Sequence, residues 1–288
     1  MRSFSIIERR PALKAKHRSP FPWPLLRFWS FRILPAWFLI ALMIFLFQLA
    51  VCGIVHDNER VKAMLQYIDM LPSFIKAFIG GDALQYGNIA GLIAIGYQEP
   101  FVLLLYMLFA VGVPTALLAG EVQRGTMELI LSRQTTKTQV YICAGLITVV
   151  GMYALVVVMF LGTVVSTNLY DFDQEVPLYC FFKLAVNGGI LASAVGGIAL
   201  LAAACFRRGM AVSLTVAYLV VNYFIMIITQ WWPRMKWLDP VTIFNYVDGA
   251  KIFTEPKWPV GDMSILISLL IVSTLAGGVI WHRRDLPL

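Results

Sequence analysis

The sequence predicts an all-α, polytopic membrane fold with six transmembrane helices, and three observations predict it. Of the 288 residues, 59% are apolar and only 14% charged, against about 25% charged in soluble domains. Mean hydropathy is +0.77. The apolar residues come in long runs without strict alternation. Hydrocarbon offers the backbone no hydrogen bonds, so a spanning segment is a helix or part of a closed barrel, and long unalternating runs favour helices.

Residues 1–33 read as a cytoplasmic N-terminal and interfacial segment. Eight basic side chains precede Leu34, which is the pattern of an uncleaved signal anchor rather than of a short secretory leader. Phe21-Pro22-Trp23-Pro24-Leu25-Leu26-Arg27-Phe28-Trp29-Ser30-Phe31-Arg32 mixes aromatic and basic residues as an interfacial anchor does. The transmembrane domain, 34–288, then places spans at about 34–55, 101–119, 139–166, 181–204, 209–230 and 263–281. Two outer elements interrupt them, 56–100 and 231–262. Within the first, Asp69 to Gly81 reads as a short amphipathic helix opened near Pro72 and closed by Gly80-Gly81.

Assigning alternate loops to opposite sides gathers the N-terminus, 120–138, 205–208 and the C-terminal tail, with fifteen basic and four acidic residues. The other side holds eight basic and twelve acidic ones. By the positive-inside rule both termini are cytoplasmic, in a plasma or bacterial inner membrane. The formal net charge of +7 is thereby an orientation signal beside lipid rather than a footprint for nucleic acid.

Polar residues inside spans are costly and so mark pathway candidates: Gln48 in the first span, Thr215 and Asn222 in the fifth, and Lys183 and Asn187 near the outer start of the fourth. Bonding to a neighbouring helix is the alternative for each. The fourth span carries two rows of small residues, Gly188/Ala192/Gly196 and Gly189/Ser193/Gly197, each at four-residue spacing. Such rows let helices approach closely, within one subunit or between subunits.

Cys52, Cys143, Cys180 and Cys205 lack the spacing of a metal or redox motif. His17, His56 and His282 fall on different sides, so no metal site uses all three. His56-Asp57-Asn58-Glu59 has the donors for a weak divalent-ion site, but it reads as a solvated outer loop. No nucleophile elbow, zinc-protease helix or catalytic triad order is present. Asp171, Asp173 and Glu175 form one acidic group, read as a solvated outer loop.

The most informative stretch lies between the second and third spans. Gly120-Glu121-Val122-Gln123-Arg124-Gly125-Thr126-Met127-Glu128-Leu129-Ile130-Leu131-Ser132-Arg133 is amphipathic when read as one helix. Glu121, Arg124, Glu128 and Ser132 share a polar face on which Glu121/Arg124 and Arg124/Glu128 can pair, while Met127, Ile130 and Leu131 share an apolar one. Thr136-Lys137-Thr138-Gln139 then predicts a capping box at the start of the third span.

In the order Gly120-Glu121, Gly125-Thr126-Met127-Glu128-Leu129-Ile130-Leu131-Ser132-Arg133 and Thr138, the sequence resembles the ABC-2 type transporter permeases. It departs from them at Gln134, where many members carry proline. Weaker echoes are Leu71-Pro72 through Gly80-Gly81, and Leu238-Asp239-Pro240 with Phe244-Asn245-Tyr246. The resemblance implies an exporter's permease subunit, not itself an enzyme, which dimerises with a second copy or a sister permease above two copies of a separate ATPase subunit.

In that family the segment after the second helix docks on the ATPase. The resemblance therefore assigns coupling to Glu121, Arg124, Gly125, Thr126, Glu128 and Arg133. The chain has no Gly-x-x-x-x-Gly-Lys-[Ser/Thr] loop to cradle phosphates, so ATP and Mg²⁺ would act through the partner. The alternative is a membrane-embedded lipid-modifying enzyme, which would gather acid, base or metal-ligating residues at one membrane depth.

Overall fold

The computed structural model describes residues 21–57, 66, 70, 89–133, 135–172, 174–247, 249–254 and 257–285. It is helical throughout, with no strand among the described residues. Six helical stretches are long and apolar enough to cross a membrane: Trp23–Val55, Ile89–Leu117, Lys137–Leu169, Leu178–Cys205, Arg208–Thr229 and Val260–Arg283. The chain is therefore built as a multi-pass membrane protein. Large apolar side chains such as Phe38, Leu104, Val150, Phe224 and Leu275 face outward, as a surface solvated by lipid tails allows.

Helix α1 (Trp23–Val55) begins well before Leu34. The aromatic and basic segment is thus its first three turns, which tryptophan and arginine can hold at interface level without ending the helix. Helix α2 (Ile89–Gln98) falls in a stretch read from the sequence as outer loop, yet nearly all its residues are buried against α1 and other helices. Glu99 and Pro100 separate it from α3 (Pro100–Leu117), and proline at the first helical position sets the new start.

After α3 come two short helices, α4 (Ala119–Gln123) and α5 (Thr126–Leu131), then the long α6 (Lys137–Leu169). The expected capping box opens α6: Thr136 Oγ1 accepts from the Gln139 amide, and Gln139 Oε1 accepts from the Thr136 amide at 3.0 Å.

Helix α7 (Leu178–Cys205) is the most buried span and packs on α6, α3, α8 (Arg208–Trp231) and α10 (Val260–Arg283). Its small residues make this possible. A Cβ on Gly189 would lie 2.8 Å from Val156 Cγ2, on Gly196 2.9 Å from Thr148 Cγ2, and on Gly197 2.5 Å from Ser273 Oγ. Gly189 and Gly196, from different rows, thus face α6, and Gly197 faces α10. Ala192 and Ser193 between them are fully buried, whereas Gly188 meets open space.

Between α8 and α10 lie two 3-10 segments, Pro233–Val241 and Ile243–Tyr246, and the short helix α9 (Gly249–Thr254). These occupy the second element assigned to the outer face.

Long-range contacts sort the helix ends into two groups. At one end, Arg32 of α1 meets Glu121 of α4, Arg208 of α8 approaches Gly120, and Lys137 of α6 donates to the Arg284 carbonyl after α10 at 2.8 Å. Arg284 in turn donates to the Ala204 carbonyl of α7 at 2.8 Å. This basic end unites the segments that alternate-loop counting assigns to one side. At the opposite end His56 stacks on Tyr170, with ring centroids 4.9 Å apart, and Asn187 donates to the Tyr246 carbonyl at 3.1 Å.

Candidate functional site

The segment following α3 is organised around one carboxylate. Glu121 is 3% exposed, and burying a carboxylate is unfavourable unless charge and hydrogen bonds compensate it. They do: Arg32 Nη1 lies 2.6 Å and Arg124 Nη2 2.7 Å from Glu121 Oε1, and the Thr126 hydroxyl donates to Oε2. Arg124 also donates through Nε to the Gly120 carbonyl at 3.2 Å. Both arginines stay partly in water, so the ion pairs contribute mainly geometry. They fix the interfacial turns of α1, the end of α3 and the α4–α5 turn to one another.

The single amphipathic helix expected over 120–133 is broken. Gly125 stands between α4 and α5 in the left-handed conformation, at φ 72° and ψ 1°, which costs an L-residue about 1–2 kcal/mol. The break moves Glu128 off the Arg124 row, and no Arg124–Glu128 ion pair forms among the described residues. Met127 enters the core at 2% exposure, with Ile130 and Leu131 packed beside it. Gln123, Arg124, Glu128, Leu129, Ser132 and Arg133 are left on the exposed side. Thr135 Oγ1 closes the turn on the Ile130 carbonyl at 2.5 Å. Gln134 lies outside the described residues.

Of the residues assigned to coupling, the structure therefore joins Glu121, Arg124, Gly125 and Thr126 into one lock and displays Glu128 and Arg133 on the adjoining surface. Arg32 was not legible as a member, because its partner lies about ninety positions away in sequence. Its place among interfacial aromatic residues was the available signal.

No family model matches this chain, and no curated protein matches it in sequence. The case for function consequently rests on residues and geometry.

The polar pathway candidates occupy separate environments. Gln48 is fully buried where α1, α2 and α6 meet. Its amide donates to Thr163 Oγ1 at 3.0 Å, which also bonds the Tyr97 hydroxyl at 2.5 Å. Gly96 and Gly162 close around the Gln48 side chain. Thr215 bonds back to the Ala211 carbonyl at 2.8 Å. Asn222 is a fastening point: it donates to the Tyr218 carbonyl, its Oδ1 accepts from the Ile243 amide at 3.1 Å, and its carbonyl accepts from Thr242 Oγ1 at 3.0 Å. It thereby seats the second 3-10 segment on α8.

Lys183 is 1% exposed, with Nζ 4.7 Å from the Tyr179 ring centroid and 5.9 Å from that of Trp258. An aromatic bracket of this kind compensates a cation withdrawn from water.

The remaining chemistry-bearing residues do not converge. His56 Nδ1 contacts the Gly53 carbonyl at 2.6 Å, and His282 contacts Thr138. Glu59, His17, Asp173 and all but Met70 of the predicted helix over 69–81 lie outside the described residues. Asp171 and Glu175 are exposed. All four cysteines are free thiols, and no group of three His, Cys, Asp or Glu residues capable of holding a metal occurs among the described residues.

Proposed function

We propose that this chain is the transmembrane permease subunit of an ATP-binding cassette exporter. The observation that supports it is the Glu121 lock, which ties α1 and α3 to a short, stiff double turn presenting Arg124, Glu128, Leu129 and Arg133 outward. A surface fastened this way transmits a push from a docked protein into two spans at once. The basic end faces the cytoplasm in this reading, where two ATPase subunits bind beneath a pair of permeases. ATP and Mg²⁺ are held by the ATPase. Its closure on ATP displaces the double turn, and the paired bundles exchange an inward or lateral opening for an outward one, a population shift driven by nucleotide binding.

Co-expression with the ABC-type ATPases of the source organism tests this. One of them is expected to co-purify, with its hydrolysis rate responding to the permease. Charge reversal at the exposed positions, Glu128→Lys or Arg133→Glu, is expected to weaken that association about tenfold or more, equivalent to ~1.4 kcal/mol, without altering the melting of the isolated chain. Failure of every ATPase to bind, or binding indifferent to both reversals, overturns the proposal.

A further inference from the structure

A second feature of the basic end is independent of the ATPase reading. Where α7 ends beside the last turn of α10 there is an open cleft of about 460 Å³, lined by Ala204, Cys205, Val279, Ile280, Arg283 and Arg284. Its composition is divided. Val279 and Ile280 are 53% and 39% exposed and continue the outward apolar surface of α10, while two guanidiniums stand at the mouth where the spans end.

The two arginines differ in what they do. Arg284 Nη1 donates to the Ala204 and Ala203 carbonyls at 2.8 and 3.5 Å, which satisfies the exposed end of α7 and offsets its negative dipole. Arg283 is exposed and makes no hydrogen bond or ion pair among the described residues. Arg207 and Arg208 follow directly at the start of α8, and Asp285 is the one acidic residue in the adjoining tail.

The cleft wall is also rigid. Trp281, fully buried, donates through Nε1 to the Lys137 carbonyl at 3.0 Å, and Lys137 Nζ returns a bond to the Arg284 carbonyl. The end of α10 is thus clamped to the start of α6, and the Arg284 guanidinium is held in place before any ligand arrives, with Arg283 exposed beside it. A fixed guanidinium with a second, uncommitted one next to it suits phosphate oxygens.

A phosphate bound there would have lipid tails as its nearest neighbours along Val279 and Ile280, and basic pockets between spans at the cytoplasmic interface suit anionic headgroups. We propose that the α7–α10 cleft binds the headgroup phosphate of an anionic phospholipid, with Arg283 and Arg284 as the donors and Val279 and Ile280 against the upper acyl chain.

The test uses the full chain purified in a mild detergent, with lipid retention read by native mass spectrometry. Added phosphatidylglycerol should be retained over phosphatidylcholine, and Arg283→Gln should lower that retention about fivefold while leaving phosphatidylcholine unchanged. Arg283→Lys should keep most of it. Lys257→Gln removes an exposed charge in the 231–262 element and should have no effect. The proposal is overturned if Arg283→Gln leaves the preference intact, if Lys257→Gln reduces it equally, or if inorganic phosphate displaces phosphatidylglycerol, which would mark a free-anion site.

Discussion

Glu121 and Gly125 illustrate how single residues position the candidate surface. Glu121 supplies the acceptors and Gly125 the backbone reversal that brings Thr126 beneath it. A Cβ on Gly125 would meet nothing within 4 Å, so substitution is opposed by backbone conformation alone. Gly125→Ala is expected to lower stability by about 1 kcal/mol and Gly125→Asn by less, because asparagine tolerates the left-handed region. Thermal unfolding of the detergent-solubilised variants gives the order. An alanine variant as stable as the wild type would mean that the turn re-forms without the left-handed residue.

At the scale of elements, helix approach decides which small residues matter. Gly277 on α10 is the most demanding. A Cβ there would lie 2.9 Å from Leu201 Cα and 3.2 Å from Leu201 N, backbone atoms that cannot step aside, as well as against the Tyr141 hydroxyl. Gly277→Ala should separate α7 from α10 at a cost of about 1–3 kcal/mol. Gly188→Ala, which points into open space, should be neutral or stabilising by up to about 1 kcal/mol. Equal melting temperatures for the two variants would contradict this packing.

These glycines also mark what could be read from sequence. The α7 rows were legible because four-residue spacing is a one-dimensional signal. Gly277, which answers them from α10, stands only in the two-member spacing Ser273/Gly277, and its close approach to the Leu201 backbone is recognised only once the two helices are paired. Helix α2 was missed for a related reason: its ten residues contain Gly91 and Gly96 and end before Glu99-Pro100, so local signals favour a loop, and burial against α1 and other helices overrides them. The Glu121–Arg124 contact follows from three-residue spacing, whereas the third partner, Arg32, and the Lys183–Trp258 contact join distant segments that no periodicity connects.

For the whole molecule, the proposed orientation makes a prediction: six spans with the positive-inside bias put both termini on the cytoplasmic side. Reporter domains fused at either end should show the same, cytoplasmic location, and one inserted in the 231–262 element the opposite one. Reporters on different sides would require that one of the six helices does not cross. The apolar faces of α8 and α10, the spans least buried within the chain, are the largest surfaces its own helices leave uncovered.

The pairing of α7 with α10 is the most extensive in the bundle, and it has a consequence for biogenesis. A ribosome delivers α7 to the membrane well before α10, with α8 and the 3-10 segments translated in between. Through that interval the surface of α7 around Gly197 lacks the α10 side chains that cover it in the finished bundle. Vectorial synthesis therefore makes docking of α10 the closing step of assembly, and a chain halted before Val260 would present its most closely packed surface to lipid or to an insertion chaperone.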